Sequence, residues 1–291
     1  MINGFLAISK PHGITSHQCV AIVKKKYHAK VGHTGTLDPM ATGAMILSLN
    51  DATKFSQWII ARDKAYTATI KLGQQTSTDD ATGQTINEQT PPSLTITQIT
   101  EVLSKFTGEI NQVPPKFSAI HINGKRAYKL ARAEASFELP TRLVTIHSNK
   151  LIHYNKTTSE IIIETHCGSG TYIRSLARDI GHELGTYAHL NQLHRRWVAP
   201  FQNNTYIPLD NLPDTPPIIS LEEAFSQYPR INLTQTQTQN LIHGKQISTE
   251  NKIQNTPTTA FYNEQFIGML TFTNHNTYKS IKLINTKHIT L

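Results

Sequence analysis

Apolar residues recur along the chain with two different spacings, and the spacing assigns most segments to a strand or a helix. Apolar and polar residues alternate in KAYTATIKLG (64–73), and an apolar run fills AMILSL (44–49), so both segments are predicted to be strands. Spacings of three and four residues in SLTITQITEVLSKFTG (93–108) and TYIRSLARDIGHEL (171–184) predict amphipathic helices. The second helix places five apolar side chains on one face: Ile173, Leu176, Ala177, Ile180 and Leu184.

Further segments show the same patterns and complete the predicted order of elements. They are strands at 4–11 and 160–167 and helices at 16–27 and 52–61. Ser16 is a candidate N-cap for the first helix, and Thr95 or Thr97 for the helix at 93–108. Because strands and helices intermix without a regular strand–helix–strand repeat, the pattern predicts an α+β fold with a largely antiparallel sheet.

The composition changes at residue 231. Residues 210–230 are rich in proline and then helical, which is typical of a connection, whereas residues 231–291 are rich in Thr, Asn and Gln and contain no arginine. Short alternating runs in this tail predict strands: TTAFYN, FIGMLTF and IKLIN. We therefore predict two domains, 1–230 and 231–291, of which the second is small and β-rich. The alternative, a poorly ordered tail, does not explain the alternation.

The charge of the chain points to an acidic partner. The 291 residues carry a formal charge of +8, and nucleic acid is the commonest partner of such proteins. A basic protein without an acidic partner has the same composition, so the charge alone does not decide between the two.

Cysteine usage and the lack of long apolar runs predict the compartment. Cys19 and Cys167 lie far apart in sequence, which argues against a zinc site built on cysteine and against a disulfide framework. Residues 1–13 lack the apolar core of a signal peptide, and no apolar run approaches the roughly 20 residues of a membrane span. These features predict a cytoplasmic protein that does not enter the membrane.

A turn rich in glycine carries the first acidic residue of the chain. The segment VGHTGTLDPMATG (31–43) holds Asp38, and the 37 residues before this aspartate contain five lysines and no carboxylate. Glycines let a backbone approach a ligand closely, and Pro39 stiffens the turn directly after the acid. Such a turn presents a carboxylate as a nucleophile or base needs it. The alternative is an aspartate that only caps its own turn, as is common before proline.

Two residues elsewhere are candidate partners for this carboxylate. A buried aspartate that must stay ionised needs a cation nearby, and Arg174 begins a predicted helix after a glycine-rich turn. Tyr66 lies on a predicted strand with Lys64 beside it, and an aromatic ring is needed if the substrate is a base taken from its stack. Taken singly, Tyr66 could be a core residue and Arg174 a surface charge.

The turn and several other segments resemble one family. GHTGTLDPMATG is similar to the central motif of the TruB family of tRNA pseudouridine synthases, Gly-His-x-Gly-x-Leu-Asp-Pro-x-Ala-x-Gly. Other blocks match the family in order over nearly the whole chain: KPHGITS (10–16), ATKF (52–55), KAYTATIKLGQQTSTDDATG (64–83), QVPPKFSAIHINGKRAYKLARAE (112–134), CGSGTYIRSLARDIGHELGTYAHL (167–190) and LTQTQTQNLIHGKQI (233–247).

The resemblance implies a reaction, a fold and a set of catalytic residues. It implies that uridine 55 in the T arm of tRNA is isomerised to pseudouridine, without metal or cofactor, by a monomer. It also implies a pseudouridine-synthase-like mixed, largely antiparallel sheet flanked by helices and a PUA-like C-terminal domain. Asp38 takes the place of the catalytic aspartate, Tyr66 that of the tyrosine stacked on the flipped base, and Arg174 that of the arginine paired with the aspartate.

Further positions match residues of the family's uracil pocket. Asp80 and Tyr172 match lining positions, and Leu193 is expected to pack on the base. The choice of Asp80 over its neighbour Asp79 rests on the alignment of the motif alone. His33 either fills the gap left by the flipped nucleotide or forms a hydrogen bond that holds the turn.

Basic positions match the family's contacts with RNA phosphates. Lys10 and Lys54 are expected near the pocket, and the segment near 110–142 resembles an RNA-gripping insertion. Its candidate contacts are Lys125, Arg126 and Arg132. Each could also be a solvated surface charge. The chain departs from the family at Gly168-Ser169-Gly170, where a phosphate-binding lysine is usual, and at Leu193-His194-Arg195, where Leu-Arg-Arg is usual.

Two other function classes compete with an isomerase. A tRNA-binding folding chaperone would use the same basic surface without catalysis, but Asp38, Tyr66 and Arg174 are all present. A phosphohydrolase with an aspartate nucleophile would need a second acid near Asp38 to hold a metal ion, and the motif contains none.

Overall fold

Strands and helices intermix along the chain in the computed structural model, which describes residues 2–133, 135–249, 257–273 and 276–289. The strands are β1 (Gly4–Lys10), β2 (Val31–His33), β3 (Thr42–Leu49), β4 (Lys64–Leu72), β5 (Gln74–Thr76), β6 (Thr85–Glu88), β7 (Gly108–Gln112), β8 (His121–Ile122), β9 (Lys125–Arg126), β10 (Arg142–Asn155), β11 (Glu160–Cys167), β12 (Ala188–Val198), β13 (Ile207–Pro208), β14 (Arg230–Asn232), β15 (Ile247–Ser248), β16 (Thr258–Tyr262), β17 (Gln265–Phe272) and β18 (Thr277–Leu283). The helices are α1 (Ser16–Tyr27), α2 (Ser56–Ile60), α3 (Ile96–Lys105), α4 (Ala127–Arg132), α5 (Ile173–Glu183), α6 (Leu221–Ala224) and α7 (Gln235–Ile242).

The central sheet pairs strands that lie far apart in the sequence, such as β1 and β13. Its order is β13-β1-β3-β12-β4-β11-β10-β7, with β2 paired to β3. Neighbours are antiparallel except for β1 with β13 and β3 with β12, which are parallel. The predicted α+β class with a mixed, largely antiparallel sheet is confirmed.

Helices α3 and α5 cover one face of the sheet. Ile99 and Leu103 of α3 and Ile180 of α5 pack in one apolar cluster with Tyr66 of β4 and Ile163 of β11. The five residues predicted to share one face of α5 all belong to this cluster. The apolar stripe of each helix therefore fixes its position over β4 and β11, which carry the centre of the site.

Hydrogen bonds at the helix starts correct one detail of the prediction. Thr15, not Ser16, caps α1, in a reciprocal pair of bonds with Gln18. The Ser16 hydroxyl instead bonds the backbone of Leu37. Thr95 caps α3 in the same reciprocal way, as one of the two predicted starts requires. Within the described residues, no helix has both the length and the apolar character that crossing a membrane requires.

A second sheet follows near the C-terminus and shares an apolar cluster with the first. Its order is β14-β16-β17-β18-β15. The rings of Phe5 and Phe55 from the N-terminal part pack with Phe225 and with Phe266 of β17, and the centroids of Phe55 and Phe266 lie 5.2 Å apart. The division at residue 230 stays a prediction, since aromatic packing is continuous across it.

Candidate active site

A buried lysine, Lys10, holds the Asp38 turn, which joins β2 to β3. The Lys10 ammonium donates to the carbonyl oxygens of Pro11 (2.9 Å), Pro39 (3.2 Å) and Ala41 (2.7 Å), and the residue is 1 % exposed. The predicted phosphate contact of Lys10 does not fit this geometry, because its three N–H groups are already used on the protein. Lys10 instead positions the residues on both sides of Asp38.

Arg174, in the first turn of α5, meets the Asp38 carboxylate side-on. Its Nε lies 3.0 Å from Asp38 Oδ2 and its Nη2 3.5 Å from Oδ1. A guanidinium that reaches both oxygens orients the carboxylate as well as neutralising it. The structure therefore brings together two of the three predicted catalytic residues, 136 positions apart in sequence.

The remaining N–H groups of Arg174 connect two further segments to this pair. Nη1 donates to the carbonyl oxygen of Thr78 (3.2 Å) and lies 3.6 Å from Asp80 Oδ2. Nη2 donates to the carbonyl oxygen of Phe117 (3.1 Å), at the base of the predicted RNA-gripping insertion. One buried guanidinium thus joins the Asp38 turn, the 77–83 loop and the insertion.

The surroundings of Asp38 oppose its ionisation in part. Burial raises the pKa of this carboxyl, the Arg174 guanidinium lowers it, the neighbouring Asp80 carboxylate raises it, and Lys10 lowers it; the net direction is upward. The side chain keeps 34 % exposure, so a substrate atom can still reach it. The result is a carboxylate that is less hydrated than usual and aimed by one cation.

Tyr66 lies on β4 within the apolar cluster of the sheet, which also contains Leu37 and Leu193. Burial raises the pKa of its phenol to about 12, although the nearby Arg195 guanidinium acts in the opposite direction. The phenol is therefore neutral at pH 7 and can donate a hydrogen bond. Asp38 is close enough to contribute to this pKa shift, which places Tyr66 and Asp38 in one electrostatic environment.

Arg195 also belongs to this site, although its sequence pattern indicated only a departure from the family. It is 2 % exposed, lies opposite Tyr66 on β12, and is close enough to lower the pKa of the Tyr66 phenol. Its Nε donates to the carbonyl oxygen of Ala44 (2.6 Å) and its Nη2 to that of Gly35 (3.2 Å). The sequence could have indicated this position, because Arg195 lies two residues after Leu193 and side chains two residues apart on a strand point to the same face of the sheet.

The residues predicted to line the uracil pocket lie around the Asp38–Arg174 pair. Asp80 Oδ1 accepts from the Thr78 and Thr82 hydroxyls and the Thr82 N–H, while its Oδ2 faces Arg174. Asp79 turns instead to Arg178, at 2.8 Å. Burial raises the pKa of Tyr172, on which both Asp38 and Arg174 act. The geometry therefore separates Asp80 from Asp79, which the motif alone did not.

The surroundings of His33 argue against one of its two predicted roles, and Lys54 forms an ion pair with a neighbouring aspartate. The buried Nδ1 of His33 forms no hydrogen bond with the residues that the structure describes, and its ring stands edge-on to His17 at 6.4 Å. This geometry does not support a turn-holding hydrogen bond from that ring. Lys54 pairs with Asp51 at 3.1 Å, and Asp51 also accepts from the Asn285 N–H near the C-terminus.

The predicted insertion is a short hairpin followed by a helix. Strands β8 and β9 pair around the Asn-Gly turn at 123–124, and α4 follows. Lys125, Arg126 and Arg132 are all exposed, Arg126 donates to the carbonyl oxygen of Ala119, and Arg132 lies over the Tyr128 ring. The hairpin and α4 therefore present cationic groups to solvent. The segment that leads into them is held by the hydrogen bond from Arg174 to the Phe117 carbonyl oxygen.

The fold as a whole is similar to that of solved Cbf5 structures. A crystal structure of a Cbf5-Nop10-Gar1 complex matches 96% of this chain and 84% of the compared chain, with a TM-score of 0.73 and 22% identity. A structure of an H/ACA RNP bound to a substrate RNA containing 2'-deoxyuridine matches 98% of this chain and 86% of that chain, with a TM-score of 0.73 and 21% identity. The chain therefore shares the fold of the chains compared in these structures.

Sequence comparisons identify the family within that fold class. Residues 22–173 match the model of the TruB family pseudouridylate synthase N-terminal domain, and residues 174–220 match that of the tRNA pseudouridylate synthase B C-terminal domain. The chain is 45% identical to tRNA pseudouridine synthase B of Prochlorococcus marinus, over 79% of this chain and 75% of the relative. It is 41% identical to the protein of the same name from Corynebacterium diphtheriae, over 84% of each. This chain belongs to the TruB family, and the predicted resemblance is confirmed.

Proposed function

We propose that this protein converts uridine 55 in the T arm of tRNA to pseudouridine, with Asp38 as the catalytic carboxylate. The observation that carries the proposal is the Asp38–Arg174 pair, set on a turn that Lys10 holds through three carbonyl oxygens. Relatives at 41–45% identity are named tRNA pseudouridine synthase B, which supports tRNA as the substrate.

The reaction breaks one bond of the nucleotide and makes another. The N1–C1′ bond of uridine breaks, the uracil turns, C5 bonds to C1′, and the C5 proton is released while N1 gains a proton. An ionised, weakly hydrated carboxylate is suited to act on C1′ or on C6 of the base. Arg174 keeps Asp38 ionised and holds its orientation, and no metal or cofactor has a part in this proposal.

The pocket beside Asp38 suits a flipped base. A base inside a stem cannot be reached, so the target uridine must leave its stack. Tyr66 offers a buried, neutral aromatic ring for stacking, and Leu193 offers apolar contact on the same cluster. Asp80 and Tyr172 line the polar side, and His33, whose Nδ1 forms no hydrogen bond to the described residues, fills the gap in the RNA.

The insertion is the proposed grip on the RNA backbone. Lys125, Arg126 and Arg132 are exposed on one short hairpin and helix, where they can meet phosphates. Such contacts release counterions, so binding is expected to weaken steeply with salt. The hydrogen bond from Arg174 to the Phe117 carbonyl oxygen connects the insertion to the residue that pairs with Asp38.

Tritium release from uracil C5 tests the proposal directly. The purified protein is incubated with an unmodified tRNA transcript tritiated at uracil C5, without added metal, and released tritium is counted. Asp38→Asn and a transcript with U55→C are the matched controls. We expect release with the parent protein and the normal transcript only, and Asp38→Asn should still bind the transcript.

The controls assign each result to one part of the proposal. Release from the U55→C transcript would contradict the position, and full release by Asp38→Asn would contradict the catalytic role. Tight, salt-sensitive binding without any release would replace the isomerase with a tRNA-folding chaperone.

A further inference from the structure

Three metal-ligating side chains meet on the face of the central sheet opposite Tyr66. They are Asp63, in the turn before β4, His147 on β10 and His166 on β11. Their candidate ligand atoms all lie within 4.8 Å of one another. Among the described residues, no other group of three such side chains is found this close together.

The strand register puts this cluster on the far side of the sheet from the catalytic pocket. Thr165 pairs with Tyr66 and shares its face, so the next residue of β11, His166, points to the opposite face. The register of β10 against β11 shifts between Ile146 and Ser148, and the extra residue at this bulge is His147. A bulge re-aims a side chain, which explains how His147 and His166 come side by side, with ring centroids 4.6 Å apart.

The distances suit a small divalent ion. Asp63 Oδ2 lies 3.1 Å from His147 Nε2 and 3.5 Å from His166 Nε2. Ligands at the usual zinc distances stand about 3.4 Å apart around a tetrahedral ion. The Asp63 carboxylate already stands near this spacing from both imidazoles, and a turn of one imidazole would adjust the spacing between the two ring nitrogens.

The cluster also has an unused ligand atom and a fixed frame. His166 Nε2 is shielded from solvent and forms no hydrogen bond within the described part of the chain. The His166 ring packs edge-on against Trp197 at 4.8 Å, and the Asp63 backbone accepts from the Ala199 N–H at 3.0 Å. The ligand side chains stay 36 to 42 % exposed, which leaves an ion a route in and a position for water.

Charge around the cluster does not exclude a cation. Lys64 follows Asp63 directly, but it pairs with Cys167 on the face that carries Tyr66, and its ammonium donates to the carbonyl oxygens of Ile60 and Arg62. Asp63 is then the carboxylate ligand of the cluster, beside two imidazole nitrogens.

We propose that Asp63, His147 and His166 form a binding site for a divalent first-row transition metal ion such as Zn²⁺. Imidazole nitrogens favour these ions over Mg²⁺ and Ca²⁺, which take oxygen ligands. The ion cross-links the turn before β4 to β10 and β11, and so it stabilises the strand that carries Tyr66 from the face opposite the reaction. The site is separate from the proposed catalysis, which uses no metal.

Zinc binding to the full chain tests this site without reference to activity. After removal of metals with EDTA, Zn²⁺ is titrated against a chromogenic chelator, and thermal unfolding is followed with and without Zn²⁺. His147→Ala, His166→Ala and Asp63→Asn are compared with His153→Ala, an exposed histidine on the same strand as His147. Replacing Zn²⁺ by Co²⁺ reports the coordination through its visible absorption.

One ion per chain should bind to the parent and to His153→Ala, with Mg²⁺ unable to compete, and Zn²⁺ should raise the midpoint of unfolding of both. His147→Ala and His166→Ala should weaken binding at least about tenfold. Binding unchanged in these variants, or weakened equally by His153→Ala, would overturn the site in favour of scattered surface histidines. Asp38→Asn should bind zinc as the parent does, so a failed isomerase assay leaves this result independent.

Discussion

The Asp38 carboxylate combines two properties that act against each other. Burial and Asp80 raise its pKa, while Arg174 and Lys10 lower it, so the ionised form exists because two cations are held in place. The Lys10 ammonium donates its hydrogen bonds to carbonyl oxygens, whereas the Arg174 guanidinium contacts the carboxylate itself. The protonation state of the proposed catalytic group should therefore depend on Arg174 more than on any other side chain.

Replacing Arg174 should change both the rate and its pH dependence. Arg174→Met removes the cation that lowers the Asp38 pKa, so this pKa should rise, and the acid limb of the activity profile should move to higher pH. Loss of the orienting pair should also lower the rate by on the order of 10²–10³. Single-turnover tritium release across pH measures both, with Arg174→Lys as the variant that keeps the charge. A slower Arg174→Met reaction with an unmoved acid limb would contradict the electrostatic role.

At the scale of elements, β3 and β12 approach so closely at the end of the Asp38 turn that one residue must lack a side chain. Gly43 has φ +97°, and a Cβ built there would lie 2.3 Å from the carbonyl oxygen of Arg195. This parallel contact fixes the distance between the Asp38 turn and the strand that bears Leu193 and Arg195. Gly43 is thus required by its backbone conformation and by the neighbouring strand.

Gly43 and Gly108 have nearly equal φ angles, so comparing them separates the strain of a positive φ from the clash with the neighbouring strand. Gly43→Ala should lower the free energy of unfolding by more than about 4 kcal/mol, because strain and a clash with backbone add. Gly108→Ala, at φ +95° with nothing within 4 Å, should cost about 1–3 kcal/mol from strain alone. Urea unfolding of both variants measures the difference. Equal losses would mean that β3 and β12 can move apart freely.

Local patterns predicted these elements well, and contacts between distant segments less well. The apolar stripe of α5 and the cap at Thr95 are set by neighbouring residues, and both agree with the structure. Ser16 was assigned as a cap because a hydroxyl before a helix usually is one, but here it is used on Leu37, 21 residues away. The need for a cation made Arg174 a candidate partner of Asp38, but the family resemblance assigned the pair, since no spacing rule joins positions 136 apart. The uses of Lys10 and Arg195 on backbone oxygens needed the folded chain.

For the molecule as a whole, Asp51 is a polar link between the two sheets. It follows β3, lies 3.1 Å from the Lys54 ammonium, and accepts from the Asn285 N–H and bonds the His288 ring in the C-terminal part. Burial alone would raise its pKa, but the bonds from His288, Asn285 and Lys54 together lower it. Ionised Asp51 therefore stabilises the contact between the sheets.

The Asp51 link should make part of the stability depend on pH. Its folded-state pKa lies below the ordinary value of 3.8, so its contribution is present above that value and is lost as the pH falls through the lowered pKa. Asp51→Asn should cost about 1–2 kcal/mol at pH 7 and progressively less in acid. Thermal or urea unfolding at several pH values measures this. Asp214→Asn, which removes a fully exposed carboxylate paired with Lys26, is the control and should change little. A loss that is the same at every pH would contradict the linkage.

The aromatic cluster between the sheets has a consequence for how the chain is made. The ring of Phe5 packs on Phe201 and Phe225, and that of Phe55 on Phe266. At a synthesis rate of about 5–20 residues per second, tens of seconds separate the emergence of these partners from the ribosome. Strand β1 is therefore translated long before it is fully packed, and its apolar face is incompletely covered in an unfinished chain throughout that interval.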